Sequence, residues 1–536
     1  MVEPAKQITL TIDGKTVTVP QGTTVLQACE KASSPVPFYC YHPGLSIAGN
    51  CRICLVEIEK TPKLQIACYT QAADGMVVHT TSDNTLKGRQ DVLEFLLANH
   101  PLDCPVCDQA GECWLQDYYM EYGLYDPKFD EQKVKKSKKA TPIGPNVMLD
   151  MERCILCSRC VRFTDEVSKT GELGIFNRGD HSEVGVYPGK EVDNNYSGNV
   201  VDICPVGALT DRDFRFKCRV WYLEATKSVC PGCSMGCNIE IHTNRERKER
   251  PHVAGGARVM RLKPRYNADV NQWWMCDVGR YGYKSIDGHR LTGVQLRDGT
   301  LLQPASWDVA LTRVAETLAR LKSSKQLDRV GVILSTSLTN EELYLAKRLF
   351  TEFGIKHVTA QGPKPAAGDE LLLKPDRSPN TRGAQALGLS FDGAALIERA
   401  RRKELTALYL FGHDAADVYG PIVAEALAEL ELFVFQGSNT NASCQWARVI
   451  LPSAVYAEKD GTFTNGQGRV QRILPAVPPL GDSKTDAQIL LELAKRLNVP
   501  LAFPDSRVIF VELAAREPAF SGLSYEVIGE QGSLLK

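Results

Sequence analysis

This 536-residue chain lacks several things, and each omission removes a class of function. No stretch of about 18 consecutive apolar residues occurs, so no transmembrane helix is expected. The opening run, "MVEPAKQITLTIDG", has no apolar h-region. No secretory signal is therefore expected, and any membrane connection must run through partners. No G-x-G-x-x-G follows a strand-like segment and no Walker A motif occurs, so neither NADH nor flavin is expected to bind here. No Ser–His–Asp or paired-carboxylate arrangement is supported by spacing, and no catalytic side chain is assigned. Net charge is nearly absent: 63 Lys and Arg oppose 64 Asp and Glu, leaving −1. Nothing global points to nucleic acid or an acidic substrate.

What the chain has is cysteine, unevenly placed. Seventeen of its 18 cysteines precede residue 277, and only Cys444 follows. A leaderless chain is not expected to hold disulfides, so clustered cysteines point to metal. The length implies several domains, and 43% hydrophobic with 24% charged residues is ordinary globular composition.

The first cysteine set follows a recognisable preamble. "ITLTIDGKTVTVP" (8–20) reads as a β-hairpin about Asp13-Gly14, and "TTVLQACEKA" (23–32) as a short helix capped by Thr23 or Thr24. Cys40, Cys51, Cys54 and Cys68 come next, with Gly44 and Gly49 giving the loop freedom to wrap a cluster. Hairpin, helix and cysteine-lined loop suggest a ferredoxin-like β-grasp holding a [2Fe–2S] cluster. The first gap is longer than in the plant-type spacing. A four-cysteine zinc site is the weaker alternative, because only Cys51 and Cys54 form a short pair.

Residues 82–100 read as a helix capped by Ser82 or Asp83, with Val92, Leu93, Leu96 and Leu97 on one face and Pro101 ending it. His100 closes that helix, and Cys104, Cys107 and Cys113 follow as H-x3-C-x2-C-x5-C. A lone histidine there is ordinarily a dipole partner or a core residue. This one is not alone: a [4Fe–4S] cluster on three cysteines needs a fourth donor, imidazole can be that donor, and replacing thiolate by imidazole raises the potential in Rieske centres. Zinc on three cysteines and a histidine competes locally. "KVKKSKKATPIGP", within 124–147, reads as a basic connector or docking loop.

"RCILCSRCVRF" (153–163) is the most specific local motif. Cys154, Cys157 and Cys160 give C-x2-C-x2-C, and Cys204-Pro205 supplies the distant C-P of a bacterial-ferredoxin [4Fe–4S] site. One run and one return imply one cluster, and zinc suits this spacing poorly. A fourth constellation is Cys230, Cys233 and Cys237 with Cys276, separated by a polar stretch that reads as an insertion. Cys29, Cys218 and Cys444 are left over and read as small buried residues.

Residues 290–536 differ in character. "VGVILS", "ALYLFG" and "LFVFQG" read as buried strands, separated by helical stretches such as "TNEELYLAKRLFTEFG" and "DVYGPIVAEALAELE". The alternation suggests a doubly wound α/β region.

The four constellations, in this order, resemble the large iron–sulfur subunits of bacterial respiratory NADH:quinone oxidoreductase (complex I), over essentially the whole chain. The resemblance implies one [2Fe–2S] and three [4Fe–4S] clusters, with His100 a true ligand. It implies that the cluster on Cys230, Cys233, Cys237 and Cys276, present only in some members, lies off the main electron path; the gap before Cys276 is longer here than usual. Electrons would come from NADH through flavin in a neighbouring subunit and enter at the Cys40 set. They would pass to the Cys154 set, then to the His100 set, and leave through other iron–sulfur subunits towards quinone. Membrane subunits would translocate protons. The chain would be one member of a hetero-oligomer, peripheral on the cytoplasmic side of the bacterial inner membrane.

"SAVYAEKDGTFTNGQGRVQRI" (453–473) resembles a segment of molybdopterin oxidoreductases. With no cysteine between 276 and 444 and little chain after this segment, the region reads as a scaffold without its cofactor, and no molybdenum is expected. A serine ligand stays open. The rivals are a relay subunit of a soluble NAD-linked hydrogenase or formate dehydrogenase, and a molybdenum-dependent formate dehydrogenase. The fold expected is multidomain α/β and α+β. Its bounds are 1–81 for the [2Fe–2S] domain, 82–123 for the histidine-plus-three-cysteine domain and 124–216 for the connector and ferredoxin-like domain. A molybdopterin-oxidoreductase-type cluster domain at 217–289 and the α/β domain at 290–536 complete it.

Overall fold

The computed structural model describes residues 6–126, 128–244 and 257–536. Much of the polar stretch before Cys276 that reads as an insertion lies outside the described residues. The chain divides into two compact units, Met1–Trp221 and Tyr222–Lys536.

In the first unit, β1 (Gln7–Ile12) and β2 (Lys15–Pro20) form the expected antiparallel hairpin. Asp13 and Gly14 both take positive φ, 46° and 78°, as a two-residue type I′ turn requires. Helix α1 (Val25–Lys31) is capped by Thr24 in a capping box with Gln27. It sends Val25, Leu26 and Cys29 into one core with Leu10, Ile12 and Val56. Strands β3 (Leu55–Ile58), β4 (Gln65–Ile66) and β5 (Val77–His79) complete a five-stranded sheet in the order β2-β1-β5-β3-β4. β1 and β5 run parallel, so the β-grasp reading holds.

Helix α2 (Asp83–Asn99) is capped by Ser82 and stops at His100, whose backbone is already extended. Pro101 denies the next turn its geometry. Helices α3 (Trp114–Tyr122) and α4 (Arg159–Glu166) follow. The basic connector is pinned. Lys133 Nζ donates to the Leu97 and Ala98 carbonyls at 2.7 and 3.1 Å, the C-terminal end of α2, where a cation is favoured. Lys128 pairs with Asp91 at 2.7 Å, and Lys139 with Asp103 at 3.0 Å.

The second unit opens with three antiparallel strands, Leu223–Val229, Asn238–Asn244 and Val259–Pro264. Its main sheet has seven strands. Five are parallel and lie side by side as His357–Gln361, Val330–Ser335, Ala407–Phe411, Leu432–Gly437 and Val449–Pro452. In chain order that is 2-1-3-4-5, a doubly wound topology. Neighbouring residues feed opposite cores. Val332, Leu334 and Val434 enter one with helices Trp307–Ser323 and Asn340–Phe353, while Ile333, Phe433 and Phe435 enter the other with Gly393–Arg401 and Ile422–Ala428. The stretch "DVYGPIVAEALAELE" is not one helix. It breaks into Ala415–Tyr419 and Ile422–Ala428 because Gly420 takes φ 76° and Pro421 follows it. Among the described residues, no helix is long and apolar enough to cross a membrane.

Candidate iron–sulfur centres

The first set lies in the loop between α1 and β3 and just beyond β4. Gly49 adopts φ 61°, the one of the two loop glycines that needs left-handed backbone. The Cys40 amide donates to Cys51 Sγ at 3.5 Å. The neighbouring Cys51 and Cys68 thiols hold Cys40 low, and the same interaction pushes Cys51 and Cys68 up. These four thiols are a donor set that could hold iron as thiolates.

In the second set His100 caps α2, Cys104 opens the short turn Cys104–Val106, and Cys113 caps α3. With Cys107 they line one hollow of about 460 Å³. Burial, with Arg153 and Lys133 nearby, holds the imidazole down to about 4. His100 is thus neutral near pH 7, the form that ligates metal. Cys104 is exposed, whereas burial raises Cys107, and Cys113 to about 11. Arg153 reaches in beside them, its charge met by Asp103 at 3.0 Å and Asp150 at 3.5 Å.

The third set, Cys154, Cys157, Cys160 and Cys204, lines a small hollow with Arg159. Leu156 and Ser158 take φ 54° and 62°. Two left-handed non-glycine residues inside one motif mark a backbone bent around something. The Leu156 amide donates to Cys154 Sγ at 3.4 Å. Burial raises all four thiols, Cys204 to about 12.

These three sets meet. Cys40, Cys113 and Cys157 belong to one apolar cluster with Tyr39, Leu93, Leu115 and Val206, against which Cys51, Cys154 and Cys204 pack. Arg162 donates to the carbonyls of both Cys40 and Cys157. The Trp114 amide donates to the Pro205 carbonyl at 3.0 Å. Gly207, three residues past Cys204, leaves no room for a Cβ: one would stand 2.2 Å from Cys107 Sγ. The Cys154 set therefore touches each of the other two.

In the second unit, Cys230, Cys233, Cys237 and Cys276 line a small hollow with Gly232, Gly236 and Gly279. The Gly279 amide donates to Cys276 Sγ at 3.4 Å, and a Cβ on Gly279 would lie 2.9 Å from Cys230 Sγ. Burial raises Cys230 to about 12 and Cys276 to about 11. Among the described residues no three such side chains close on a point as around one ion. The thiols of the last three sets line hollows instead, the shape a multi-iron group needs. Donor chemistry, amides aimed at sulfur and missing Cβ atoms all fit iron–sulfur clusters.

A cleft of about 410 Å³ opens where the parallel strands end, lined by Ser335, Gly412, Gln436, Ser453, Lys459 and Asp486 among others. Among the described residues, Lys459 is the cleft's one lysine or arginine, and it is tied to Glu342 at 2.7 Å and Asp486 at 3.0 Å. No unpaired cation among them lines the cleft to receive the phosphates of a pterin dinucleotide.

Sequence reasoning missed Arg153, Arg159, Arg162 and Gly207. The arginines stand within or beside the C-x2-C-x2-C run, and charge next to candidate ligands was the available signal. The leftover cysteines need a correction. Cys29 is buried, but Cys218 and Cys444 are only half-buried, Cys444 because it lies in the short turn Ala442–Gln445.

Known families match in the same order. A 2Fe-2S iron-sulfur cluster binding domain matches residues 5–83, the NADH-ubiquinone oxidoreductase-G iron-sulfur binding region 89–128, and the ferredoxin-like domain of NADH-quinone oxidoreductase subunit 3 144–210. The molybdopterin oxidoreductase Fe4S4 domain matches 223–288 and molybdopterin oxidoreductase 378–496. The chain is 32% identical to the mitochondrial NADH-ubiquinone oxidoreductase 78 kDa subunit of Neurospora crassa, covering 97% of this chain and 84% of that one. It is 31% identical to the G-type subunit of the NADH-quinone oxidoreductase of Rickettsia bellii, covering 96% and 90%. A solved NAD+-reducing [NiFe]-hydrogenase chain shares 31% identity over 39% of this chain and 90% of its own, with a TM-score of 0.36, too low to carry an argument.

Proposed function

The chain belongs to the family of the bacterial NADH-quinone oxidoreductase G-type subunits and their mitochondrial 78 kDa counterparts, and from that premise we propose that it is the electron-relay subunit of such a complex. Its clusters, when bound, take up and pass on single electrons between the NADH and flavin side and the quinone side. The chain's own residues hold, space and tune them. Cys40, Cys51, Cys54 and Cys68 would hold a [2Fe–2S] cluster. His100, Cys104, Cys107 and Cys113 would hold one [4Fe–4S] cluster, and Cys154, Cys157, Cys160 and Cys204 a second. Cys230, Cys233, Cys237 and Cys276 would hold the third. Amides of Cys40, Leu156 and Gly279 point at sulfur and disperse negative charge. The apolar cluster shared by three sets excludes water between them.

The observation that carries this reading is that contact network: the Cys154 set touches both others. It supports the relay order Cys40 set, Cys154 set, His100 set. Partner subunits would supply flavin on one side and further iron–sulfur centres on the other, with the chain peripheral on the cytoplasmic face. The α/β region serves as scaffold, which the neutralised Lys459 supports.

The test is anaerobic purification of the whole complex with metal analysis and EPR. One two-iron and three four-iron clusters per chain, without molybdenum, are expected. Stoichiometric molybdenum would transfer the chain to the dehydrogenase reading. His100→Cys should keep its cluster at a lower midpoint, since an anionic donor replaces a neutral one, and His100→Ala should lose it. An unchanged signal and midpoint in His100→Ala would remove His100 from the ligands.

A further inference from the structure

Arg159 stands between the first and third cysteine sets and is 2% exposed. Nη1 donates to the Ile203 carbonyl at 3.0 Å, Nη2 donates to the Tyr41 carbonyl, and Nε has no partner. The Trp114 ring centre lies 4.5 Å from its guanidinium carbon. Among the described residues no carboxylate pairs with it. Arg153, the buried arginine of the His100 hollow, is different: it has both Asp103 and Asp150. A guanidinium stays protonated in proteins, and a buried charge left unmatched is costly. The side chain lines the same hollow as Cys154, Cys157, Cys160 and Cys204.

We propose that Arg159 is the buried counter-charge of the cluster on Cys154, Cys157, Cys160 and Cys204 and sets its potential as a positioning residue. The inference rests on the assignment of that set to a [4Fe–4S] cluster. Four thiolates make such a cluster anionic, and each added electron makes it more so. A fixed cation in a low-dielectric wall stabilises the reduced form more than the oxidised one and raises the midpoint. Arg153, already neutralised, exerts less of this on the His100 set. A relay gains a step that accepts electrons readily from the Cys40 set, whose loop the same arginine holds through the Tyr41 carbonyl.

The experiment is an EPR redox titration of the intact complex carrying Arg159→Gln or Arg159→Lys. The signal belonging to this set is the one lost in Cys160→Ala. In Arg159→Gln, which keeps hydrogen-bond donors but not charge, the reduced-to-oxidised ratio at fixed poise should fall about tenfold, a downward midpoint shift of about 59 mV for one electron. Arg159→Lys, which keeps the charge, should recover most of it, and the His100-set midpoint should move less. An unmoved midpoint in Arg159→Gln overturns the inference while leaving the cluster assignment standing. Loss of the signal in both variants also overturns it, because the residue is then structural. If wild-type complex shows no signal that Cys160→Ala removes, the cluster assignment itself fails, and the inference with it.

Discussion

The two units of the chain use cysteine in opposite ways. In the first, several proposed ligand cysteines are core residues: Cys40, Cys113 and Cys157 share one apolar cluster with Ile53, Leu93, Leu115, Val206 and Ala208. In the second, the cores flanking the parallel sheet are filled by aliphatic and aromatic side chains and contain none of the four ligand cysteines. Cys230 and Cys237 instead adjoin the ends of strands of the small antiparallel sheet. Beside its aliphatic β-grasp core, the first region has a second core in which proposed ligand cysteines take part, whereas the second region's cores are complete without them. Where a core is made of thiols and buried arginine, folding and metal binding are one equilibrium.

Removing iron should therefore separate the two units, and this is the largest effect expected. A structural metal contributes on the order of 10 kcal/mol to folding in small metal domains, and members of three proposed ligand sets share the first unit's second core. Anaerobic chelation of the full chain, followed by hydrogen exchange, should strip protection from α2, α3 and α4. Amides of the strands Val330–Ser335, Ala407–Phe411 and Leu432–Gly437 should remain protected. Equal loss in both units would break the comparison.

A second test sharpens the claim that the α/β unit stands on ordinary packing. Its most unusual group is Glu341, fully buried, which accepts from the Thr462 amide and hydroxyl and from Tyr525 Oη, each at 2.9 Å. Burial raises its carboxyl to about 7, against those hydrogen bonds that pull it down. Its folded value thus lies above the 4.5 of an unperturbed glutamate. The stability it contributes is complete below pH 4.5 and is lost as pH rises through 7. The loss is about 3 kcal/mol at most, from roughly 1.4 kcal/mol for each tenfold change in the acid constant. Calorimetry of the full chain at pH 5 and pH 8 should show the second unit's transition falling with pH, and Glu341→Gln should flatten that slope. An identical slope in both proteins would mean the buried group is already ionised when folded.

Legibility followed the same divide. Where the signal is a periodic pattern, the sequence sufficed: the Asp13-Gly14 hairpin, the Ser82-capped helix and the strands "VGVILS", "ALYLFG" and "LFVFQG" all stand where their residues placed them. The 2-1-3-4-5 strand order was not readable, because it depends on which crossover each helix takes. Four ligand sets could be counted from spacing, but not their adjacency. Nothing in "RCILCSRCVRF" says that Arg162 reaches the Cys40 carbonyl more than a hundred residues away in sequence. The break at Gly420-Pro421 is carried by a Gly-Pro pair that the helical reading of "DVYGPIVAEALAELE" leaves out.

The smallest effect tests that adjacency directly. Gly207 is an inconspicuous residue of "CPVGAL", and its conformation does not demand glycine. What demands it is Cys107: a Cβ would lie 2.2 Å from that sulfur, 3.1 Å from Gln109 Cβ and 3.6 Å from Arg153 Cδ. A real carbon–sulfur contact is well over an ångström longer, and Cys107 Sγ, although it ends its side chain, loses its freedom to swing away once it holds a cluster. Gly207→Ala must push the Cys104–Cys113 loop away from the Cys204 return. Overpacking of this kind costs about 1–3 kcal/mol, small for the fold but concentrated on a ligand. The expected result is a weakened or altered signal from the His100 set, with the Cys154 set retained. Gly293→Ala is the matched control, because nothing lies within 4 Å of its Cβ position, and it should change neither. The readouts are EPR and iron content of the intact complex. If Gly207→Ala matches wild type in both, the second and third sets are not held in contact through this glycine, and the first unit's sets are neighbours by arrangement rather than by shared packing.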